Sequence, residues 1–191
     1  KVQSISGYSL KVNSNDATLD VHFQRRAHSW GWATWNEKWS KKLFDKKSFN
    51  DEIISEDNRM IEFKISCGDD IVKMIHSSLK GEIDSWYVWW VYNHFINNSY
   101  AVYPILSKVK NIGFSQDSTH CQGIDVFKID YDEKNKIDFN FKPIYEDQQL
   151  RKQFLNYFKT SYKLIFRIKL LTKKNGIRKV LNELKFRLLN Y

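Results

Sequence analysis

The excess basic charge of this chain lies at its C-terminal end. This uneven distribution limits which part of the chain can form a buried core. Residues 151–191 contain twelve Lys and Arg side chains and one acid, Glu183, so their net charge is +11. Residues 1–150 contain 19 basic and 21 acidic side chains and carry −2. A near-neutral segment can enclose a core, whereas a strongly basic one keeps its charges in solvent or against a partner. We therefore divide the chain into a body, residues 1–145, and a basic tail, residues 146–191.

The basic tail also carries apolar residues at helical spacing. The pattern stops at Asn175-Gly176 and then resumes, which predicts two basic amphipathic helices. Such helices could lie on an anionic membrane surface, bind a partner or nucleic acid, or cover the body with a solvated face. The apolar positions are Phe154, Leu155, Phe158, Tyr162, Ile165 and Phe166 before the break, and Ile177, Val180, Leu181, Leu184 and Leu188 after it.

The chain is long enough to form a core without disulfide or metal support. Gly and Pro number only seven and two, and apolar types make up 42%, which excludes disordered, collagen-like and linker-like chains. No apolar run approaches the ~18 residues that cross a bilayer, and no signal peptide opens the chain. Cys67 and Cys121 are too few for a disulfide framework and predict reduced thiols. We therefore expect a cytoplasmic protein, with a tail suited to a peripheral position on the inner face of the membrane.

Local patterns predict three strands in the body. Residues 2–8 have the apolar content of a buried strand that ends at Gly7. Residues 19–23 form a short alternating segment, and residues 100–106 are typical of a strand broken at Pro104.

The same patterns predict helices between these strands. One begins at Asp69 or Asp70 and is followed by Gly81, and a second, aromatic nearly all round and therefore buried, begins near Asp84. A further helix is predicted to start within residues 33–39, because three tryptophans would then share one face. Those tryptophans are Trp32, Trp35 and Trp39.

The seven tryptophans occur in two groups, and each group could serve a core or a site. Flat indole faces stack on sugar rings and on bases, although filling a core is their usual role. Gly31 stands among the bulky rings of the first group, where it is expected to permit a tight turn. The groups are Trp30, Trp32, Trp35 and Trp39, and then Trp86, Trp89 and Trp90.

Asp84 is the strongest candidate for chemistry. The dipole and the free N–H groups at a helix N-terminus favour an ionised carboxylate there. Such a carboxylate could accept a proton from a substrate hydroxyl as a general base, and Trp86 beside it could hold a sugar. The alternative is that Asp84 is simply the N-cap of the helix.

Other polar residues give weaker signals. His120, three residues after Asp117 in a polar loop, could ligate a divalent metal or contact a phosphate, or be an ordinary surface histidine. Asp130 and Asp132 have D-x-D spacing, but their charged surroundings favour a hairpin turn. The chain has no G-x-G-x-x-G, GK[ST], G-x-S-x-G or H-E-x-x-H motif, so kinase, hydrolase and zincin interpretations lose support.

Four blocks occur along the chain in an order that is far more specific than any one of them. They are Ser4–Tyr8, Arg26–Trp35 with Trp39, Ile83–Trp86 with Trp90, and Tyr103-Pro104 through Asn111–Phe114 to Thr119–Cys121. Together they resemble the C-terminal half of a bacterial GT-A sugar transferase related to the N-acetylglucosaminyltransferase I group. The resemblance covers about residues 2–123 and does not extend over the basic tail.

The resemblance implies the acceptor-side half of a GT-A-type, mixed-sheet α/β fold. The C-terminal helices predicted for the basic tail would be appended to that half. It implies inverting transfer of a sugar from a nucleotide-sugar donor to a hydroxyl of a glycan or lipid-linked glycan acceptor. In that group a donor-binding half with an acidic metal-binding motif precedes the segment similar to Ser4–Tyr8. Since this chain starts at Lys1, we expect a fragment, with a divalent cation, Mn²⁺ or Mg²⁺, held mainly by acidic ligands upstream.

The resemblance also implies roles for individual residues. Asp84 matches the carboxylate that serves as catalytic base, and residues 30–35 resemble the acceptor floor and part of the donor-sugar pocket. Residues 111–120 resemble a mobile loop that closes over the donor, which would bring His120 to the diphosphate or the metal. The implied substrate-binding residues are Trp30, Gly31, Trp32, Trp35, Ser85, Trp86, Asn111 and Phe114.

Two rival functions follow from composition. A non-catalytic carbohydrate-binding module could use the tryptophan groups alone. A nucleic-acid binder is less well supported, because stacking platforms normally interleave aromatic and basic residues, and here they lie in different parts of the chain. We therefore expect sugar ligands and no nucleic-acid partner.

Overall fold

The computed structural model of the protein describes residues 1–39, 58–112 and 124–189, with side chains through residue 185. Within these ranges the chain forms four strands and six helices, and a short 3₁₀ helix spans Asn36–Lys38. The strands are β1 (Val2–Ser6), β2 (Val21–Gln24), β3 (Trp32–Thr34) and β4 (Tyr100–Pro104). The helices are α1 (Asn58–Cys67), α2 (Asp69–Leu79), α3 (Trp86–Ile96), α4 (Gln148–Asn156), α5 (Thr160–Leu171) and α6 (Gly176–Leu189).

The four strands form one mixed sheet in the order β2-β4-β1-β3. The central strands β1 and β4 are parallel, with Ile5 opposite Val102. Both outer strands run antiparallel to their neighbours: Phe23 of β2 also lies opposite Val102, and Thr34 of β3 lies opposite Ser4. The mixed α/β class expected from the resemblance is thus present.

The main core lies between the sheet and the helices. Helix α3 contributes its aromatic residues, as its composition predicts, and Phe63 of α1 packs edge-on against Tyr92 at 5.2 Å. Helix α4 belongs to the same core, because Leu150 and Phe154 are fully buried. Residues at the start of the basic tail therefore help to stabilise the body.

The opposite face of the sheet carries a smaller cluster of Val21, Phe23 and Val102, covered by Phe139. Because successive side chains of a strand point to opposite faces, His22 between them turns to the main core. Its ring stacks on Tyr103 at 5.3 Å. The sheet is therefore covered on both sides near β2.

The first predicted strand is confirmed, but its buried side chains are polar. Gln3, Ser4 and Ser6 are buried, while Ile5 is 45% exposed. A register irregularity between Val2 and Ser4 brings two successive polar side chains toward α3. Their hydrogen bonds to α3, described below, offset the cost of that burial.

The helix predicted within residues 33–39 is wrong. Trp32–Thr34 is the edge strand β3, and only Asn36–Lys38 turn as a 3₁₀ helix. Pairing with β1 supplies backbone hydrogen bonds that the local tryptophan spacing could not reveal.

The basic tail contains three helices rather than the two predicted. The break near Asn175 is confirmed, and α6 begins at Gly176. A second break separates α4 from α5, and α4 begins after Asp147, whose carboxylate accepts hydrogen bonds from the N–H groups of Gln149 and Leu150. Across the described residues, no helix combines the length and the apolar character needed to span a membrane.

Candidate functional site

A tight turn at Gly31 begins the site. Gly31 has φ +53°, and its carbonyl accepts a 2.7 Å hydrogen bond from the N–H of Gly7. A Cβ at Gly31 would lie 2.8 Å from Cγ2 of Val109, so a larger residue would collide with the segment that follows β4. Gly31 is therefore required both for the turn and for the close approach of Val109.

Four tryptophans from separate parts of the chain meet beside this turn. The ring of Trp32 in β3 stacks on that of Trp86 in α3, with centroids 5.4 Å apart and planes at 25°. Trp39 lies 5.6 Å from Trp32 and 5.1 Å from Trp90, which itself lies 5.5 Å from Trp32. We call Trp32, Trp39, Trp86 and Trp90 the tryptophan platform.

The platform has a buried base and an open top. Trp90 is 1% exposed, and its Nε1–H has no hydrogen-bond acceptor among the described residues. Trp39 and Trp86 are each 42% exposed. Partly exposed indole rings of this kind offer apolar surface to the C–H face of a sugar ring.

Helix α3 positions its share of the platform by simple periodicity. Trp86, Trp90 and His94 are four residues apart and therefore lie along one face. The His94 ring packs edge-on against Trp90 with centroids 4.7 Å apart. This face of α3 points toward β1, because Ser4 of that strand contacts His94.

His94 is held as a neutral imidazole beneath the platform. Its Nδ1–H donates to the carbonyl of Trp90 at 2.9 Å, so its Nε2 accepts from the hydroxyl of Ser4 at 2.8 Å. Burial lowers the pKa of His94 to about 4. Next to it, Gln3 donates to Asn93, and the Ser99 hydroxyl donates to Gln3. The network fixes α3 against β1 without a buried charge.

A buried arginine fixes the start of α3. Arg26, 2% exposed, donates to both carboxylate oxygens of Asp70 at 2.7 and 3.0 Å and to the Cys67 carbonyl at 2.8 Å. It also donates to the Tyr87 hydroxyl at 3.2 Å, and that hydroxyl donates to the Ala27 carbonyl. Burial opposes the charge of Arg26, but Tyr87 and Asp70 outweigh it and raise its pKa. Trp86, the neighbour of Tyr87, is thereby held in place.

Asp84 is exposed and lies two residues before α3. Ser85 occupies the N-cap position in an extended conformation, and its side chain makes no capping hydrogen bond. Ser85, rather than Asp84, therefore occupies the N-cap position of α3. Asp84 precedes the first turn of α3, two residues before Trp86 of the platform.

The remaining predicted residues are distributed differently. Trp30 packs against Tyr8 and Phe127, at 4.9 and 5.5 Å, on the side of the main core rather than in the platform. Trp35 is 41% exposed between β3 and the 3₁₀ helix. Asn111, half-buried, follows Val109, which packs on Gly31. Two further predicted residues, Phe114 and His120, lie outside the described residues.

Trp39 and Trp90 are part of the platform, although the predicted site residues do not include them. For Trp90 a local signal exists, since it stands four residues after Trp86 on a helix. For Trp39 the signal is its place in the first tryptophan group, but its contacts with Trp86 and Trp90 depend on how residues 35–39 leave the sheet.

The described residues do not fit a metal centre. In these ranges no three His, Cys, Asp or Glu side chains are close enough together to hold an ion. Asp132 of the D-x-D segment instead accepts hydrogen bonds from the N–H groups of Lys134 and Lys136 and pairs with Lys108. The predicted turn is present at residues 133–134, but among the described residues no strands flank it to form a hairpin. Cys67 is buried with a free thiol, and burial raises the pKa of that thiol.

Comparison with known proteins identified no relative of this chain. No protein-family model, no curated protein and no solved structure matches the chain. Function must therefore be argued from the residues of the site.

Proposed function

We propose that the chain is the acceptor-binding, base-carrying part of an inverting glycosyltransferase of the GT-A type, acting from a nucleotide-sugar donor. The observation that carries the proposal is the position of Asp84, an exposed carboxylate two residues from Trp86 at the open edge of the tryptophan platform. The four sequence blocks that resemble this enzyme group support it, and so does the mixed sheet.

The proposed chemistry needs one base and one oriented acceptor. A sugar ring lying on the exposed part of Trp86 would present a hydroxyl at the edge of the platform, where Asp84 could accept its proton. The acceptor oxygen, losing its proton to Asp84, would attack the anomeric carbon of the donor from the face opposite the nucleotide. The bond between that carbon and the nucleotide would break, and the nucleotide would leave. A single carboxylate suffices for this inversion, in contrast to the paired carboxylates of most glycoside hydrolases.

In this proposal the donor is bound by residues other than Asp84 and the tryptophan platform. Asn111, Phe114 and His120 would lie in the loop that closes over the nucleotide sugar, and a divalent cation would be bound by ligands other than the described residues. Because the described side chains do not fit a metal centre, we assign no step to the cation.

The first test replaces Asp84 with Asn in a protein that carries both donor- and acceptor-binding halves. We expect the release of nucleoside diphosphate in the presence of a glycan acceptor to fall by about 10²–10⁴-fold, since the base is lost and the shape is kept. The matched control is Glu82→Gln, which alters an exposed carboxylate two residues away whose partner is Ser77. The control should retain its rate, and near-normal turnover in Asp84→Asn would refute the base assignment.

The exposed platform also favours a second function, that of a carbohydrate-binding module without chemistry. This alternative predicts that the 191-residue chain binds oligosaccharides, that Trp86→Ala removes the binding, and that Asp84→Asn changes neither binding nor any transfer rate. Loss of transfer in Asp84→Asn with sugar affinity retained would favour the enzyme over the module.

A further inference from the structure

We propose that helices α5 and α6 form a hairpin that binds the surface of an anionic lipid membrane. The inference is independent of glycosyl transfer, because it rests on residues outside the tryptophan platform.

A partly buried ion pair and a close backbone contact define the hairpin. Arg167 of α5 donates from Nε to Oε2 of Glu183 in α6 at 2.8 Å, and a second bond from Nη2 makes the pair bidentate. At the connection, a Cβ on Gly176 would lie 1.7 Å from the carbonyl oxygen of Leu170, so only glycine fits there. The two helices are therefore held antiparallel in one register.

Each helix exposes a row of large aliphatic side chains. The rows have the spacing i, i+4, i+7, which places their members on one face of a helix. Because Arg167 pairs with Glu183, the first residue of each row lies within about 3 Å, along the hairpin axis, of the last residue of the other. The rows are Leu164, Ile168 and Leu171 in α5 and Ile177, Leu181 and Leu184 in α6, each between 42% and 59% exposed.

Positive charge surrounds these rows without an opposing exposed acid. Glu183 is the only acid of residues 151–191, and it is 5% exposed against Arg167. The outer surface of the described hairpin is therefore entirely apolar, polar-neutral or basic. Its exposed basic residues are Lys159 just before α5, then Lys169, Lys173, Lys174, Arg178, Lys179 and Lys185.

The hairpin contacts the body through residues outside the exposed aliphatic rows. The Tyr162 hydroxyl donates to the Val126 carbonyl at 3.3 Å, and the Tyr162 ring packs against Tyr157 at 5.0 Å. Tyr157 is buried in the main core. The aliphatic rows remain exposed while Tyr162 joins α5 to the rest of the molecule.

Of the possible binding partners, an anionic membrane is the one that would contact both the aliphatic rows and the basic residues of the hairpin. An interfacial helix places aliphatic side chains at the acyl boundary and its lysines among anionic headgroups. Nucleic acid would neutralise the lysines but leave six aliphatic side chains without a partner. A second copy would cover the aliphatic rows but bring two basic surfaces together.

The test is flotation of the 191-residue chain with phosphatidylcholine vesicles that do or do not contain phosphatidylglycerol. We expect binding to the anionic vesicles, much weaker binding to the neutral ones, and weakening with added salt. Lys173→Gln and Lys174→Gln should each lower the partition coefficient about fivefold. Ile168→Ser with Leu181→Ser should lower it at least about tenfold.

Matched controls lie on the body of the protein. Ile61→Ser with Ile65→Ser removes two equally exposed aliphatic side chains from α1, and Lys80→Gln removes an exposed charge after α2. These variants should bind vesicles as the wild type does, and circular dichroism should show that every variant is folded. No binding to anionic vesicles, or equal losses in hairpin and control variants, would overturn the proposal. So would a lipid-free dimer that Ile168→Ser dissociates, or duplex DNA that displaces the vesicles completely.

Discussion

At the scale of single residues, Arg26 shows how one buried charge can hold several elements together. Its guanidinium contacts Asp70 in α2, the last residue of α1 through the Cys67 carbonyl, and Tyr87 in α3. It also lies over the ring of Phe158, 3.6 Å from the centroid. Removing one partner of such a pair leaves the other charge buried and uncompensated, which costs more than the pair itself contributes.

We predict that Asp70→Ala lowers the free energy of unfolding by about 3 kcal/mol or more. Asp69→Ala is the matched control, because Asp69 is the preceding residue and its ion pairs within the described ranges are with the exposed Lys64 and Lys73. Exposed pairs contribute little, so we expect a loss below about 1 kcal/mol for the control. Urea unfolding of both variants measures the difference, and equal losses would contradict the role given to Arg26.

At the scale of elements, the edge strand β3 owes its position to contacts remote in sequence. Its three residues pair with β1, and the Gly31 turn before it is covered by Val109. Local spacing of Trp32, Trp35 and Trp39 favours a helix over the same residues, and that prediction fails. Strand pairing decides the conformation here because the backbone hydrogen bonds to β1 outweigh the weak local preference of three residues.

We predict that Gly31→Ala destabilises the protein more than Gly81→Ala. Both glycines have positive φ, +53° and +76°, so both variants incur about 1 kcal/mol of backbone strain. Only at Gly31 does the new Cβ also meet Val109, whereas nothing lies within 4 Å at Gly81. Denaturant unfolding should show an excess loss of about 1–2 kcal/mol at Gly31. Val109→Ala in the Gly31→Ala background should recover part of that excess, and no recovery would argue against the collision.

Other elements were predictable because their signals are local. The strands over residues 2–8 and 100–106 and the helix from Asp69 are confirmed. The burial of Gln3 and Ser4 could not be predicted, since it depends on Asn93 and His94 standing opposite them. A hydrophobic pattern identifies apolar partners of a core but not polar ones.

At the scale of the whole molecule, three histidines are buried in the body in their neutral form. Burial lowers the pKa of His22 to about 3, of His28 to about 3 and of His94 to about 4. For His28, the arginine charge of Arg26 lowers the pKa further, and its Nδ1 has no hydrogen-bond partner among the described residues. The folded protein therefore resists protonation that the unfolded chain accepts near pH 6.5.

Acid should therefore destabilise the folded protein. Below pH 6.5 the unfolded state binds protons at these three residues and the folded state does not, so stability is lost as pH falls toward 4. We predict a loss of up to about 4 kcal/mol for each pH unit between 6 and 4.5, since each histidine contributes at most about 1.4. Urea unfolding at several pH values measures the slope. The lowered aspartate pKa values, such as that of Asp16 at about 2, affect stability only at more acid pH.

Two variants test the assignment of this slope to buried histidines. His94→Gln should be less stable at pH 7 but should lose about one third of the slope, because one of the three groups no longer titrates. His76→Gln, on the partly exposed side of α2, should keep the full slope. A wild-type stability that does not change between pH 6.5 and 4.5 would contradict neutral burial.

The amino-acid sequence by itself determined the separation of a near-neutral body from a basic tail and the burial of the aromatic helix α3. These properties depend on composition and on periodicity over a few turns, which act locally. Only the tertiary structure decided that Trp32 stacks on Trp86, that Trp30 turns to the core, and that α4 completes the core while α5 and α6 leave aliphatic rows exposed. Those outcomes depend on strand pairing and on packing between distant segments. Local sequence patterns do not reveal the free energy of such contacts.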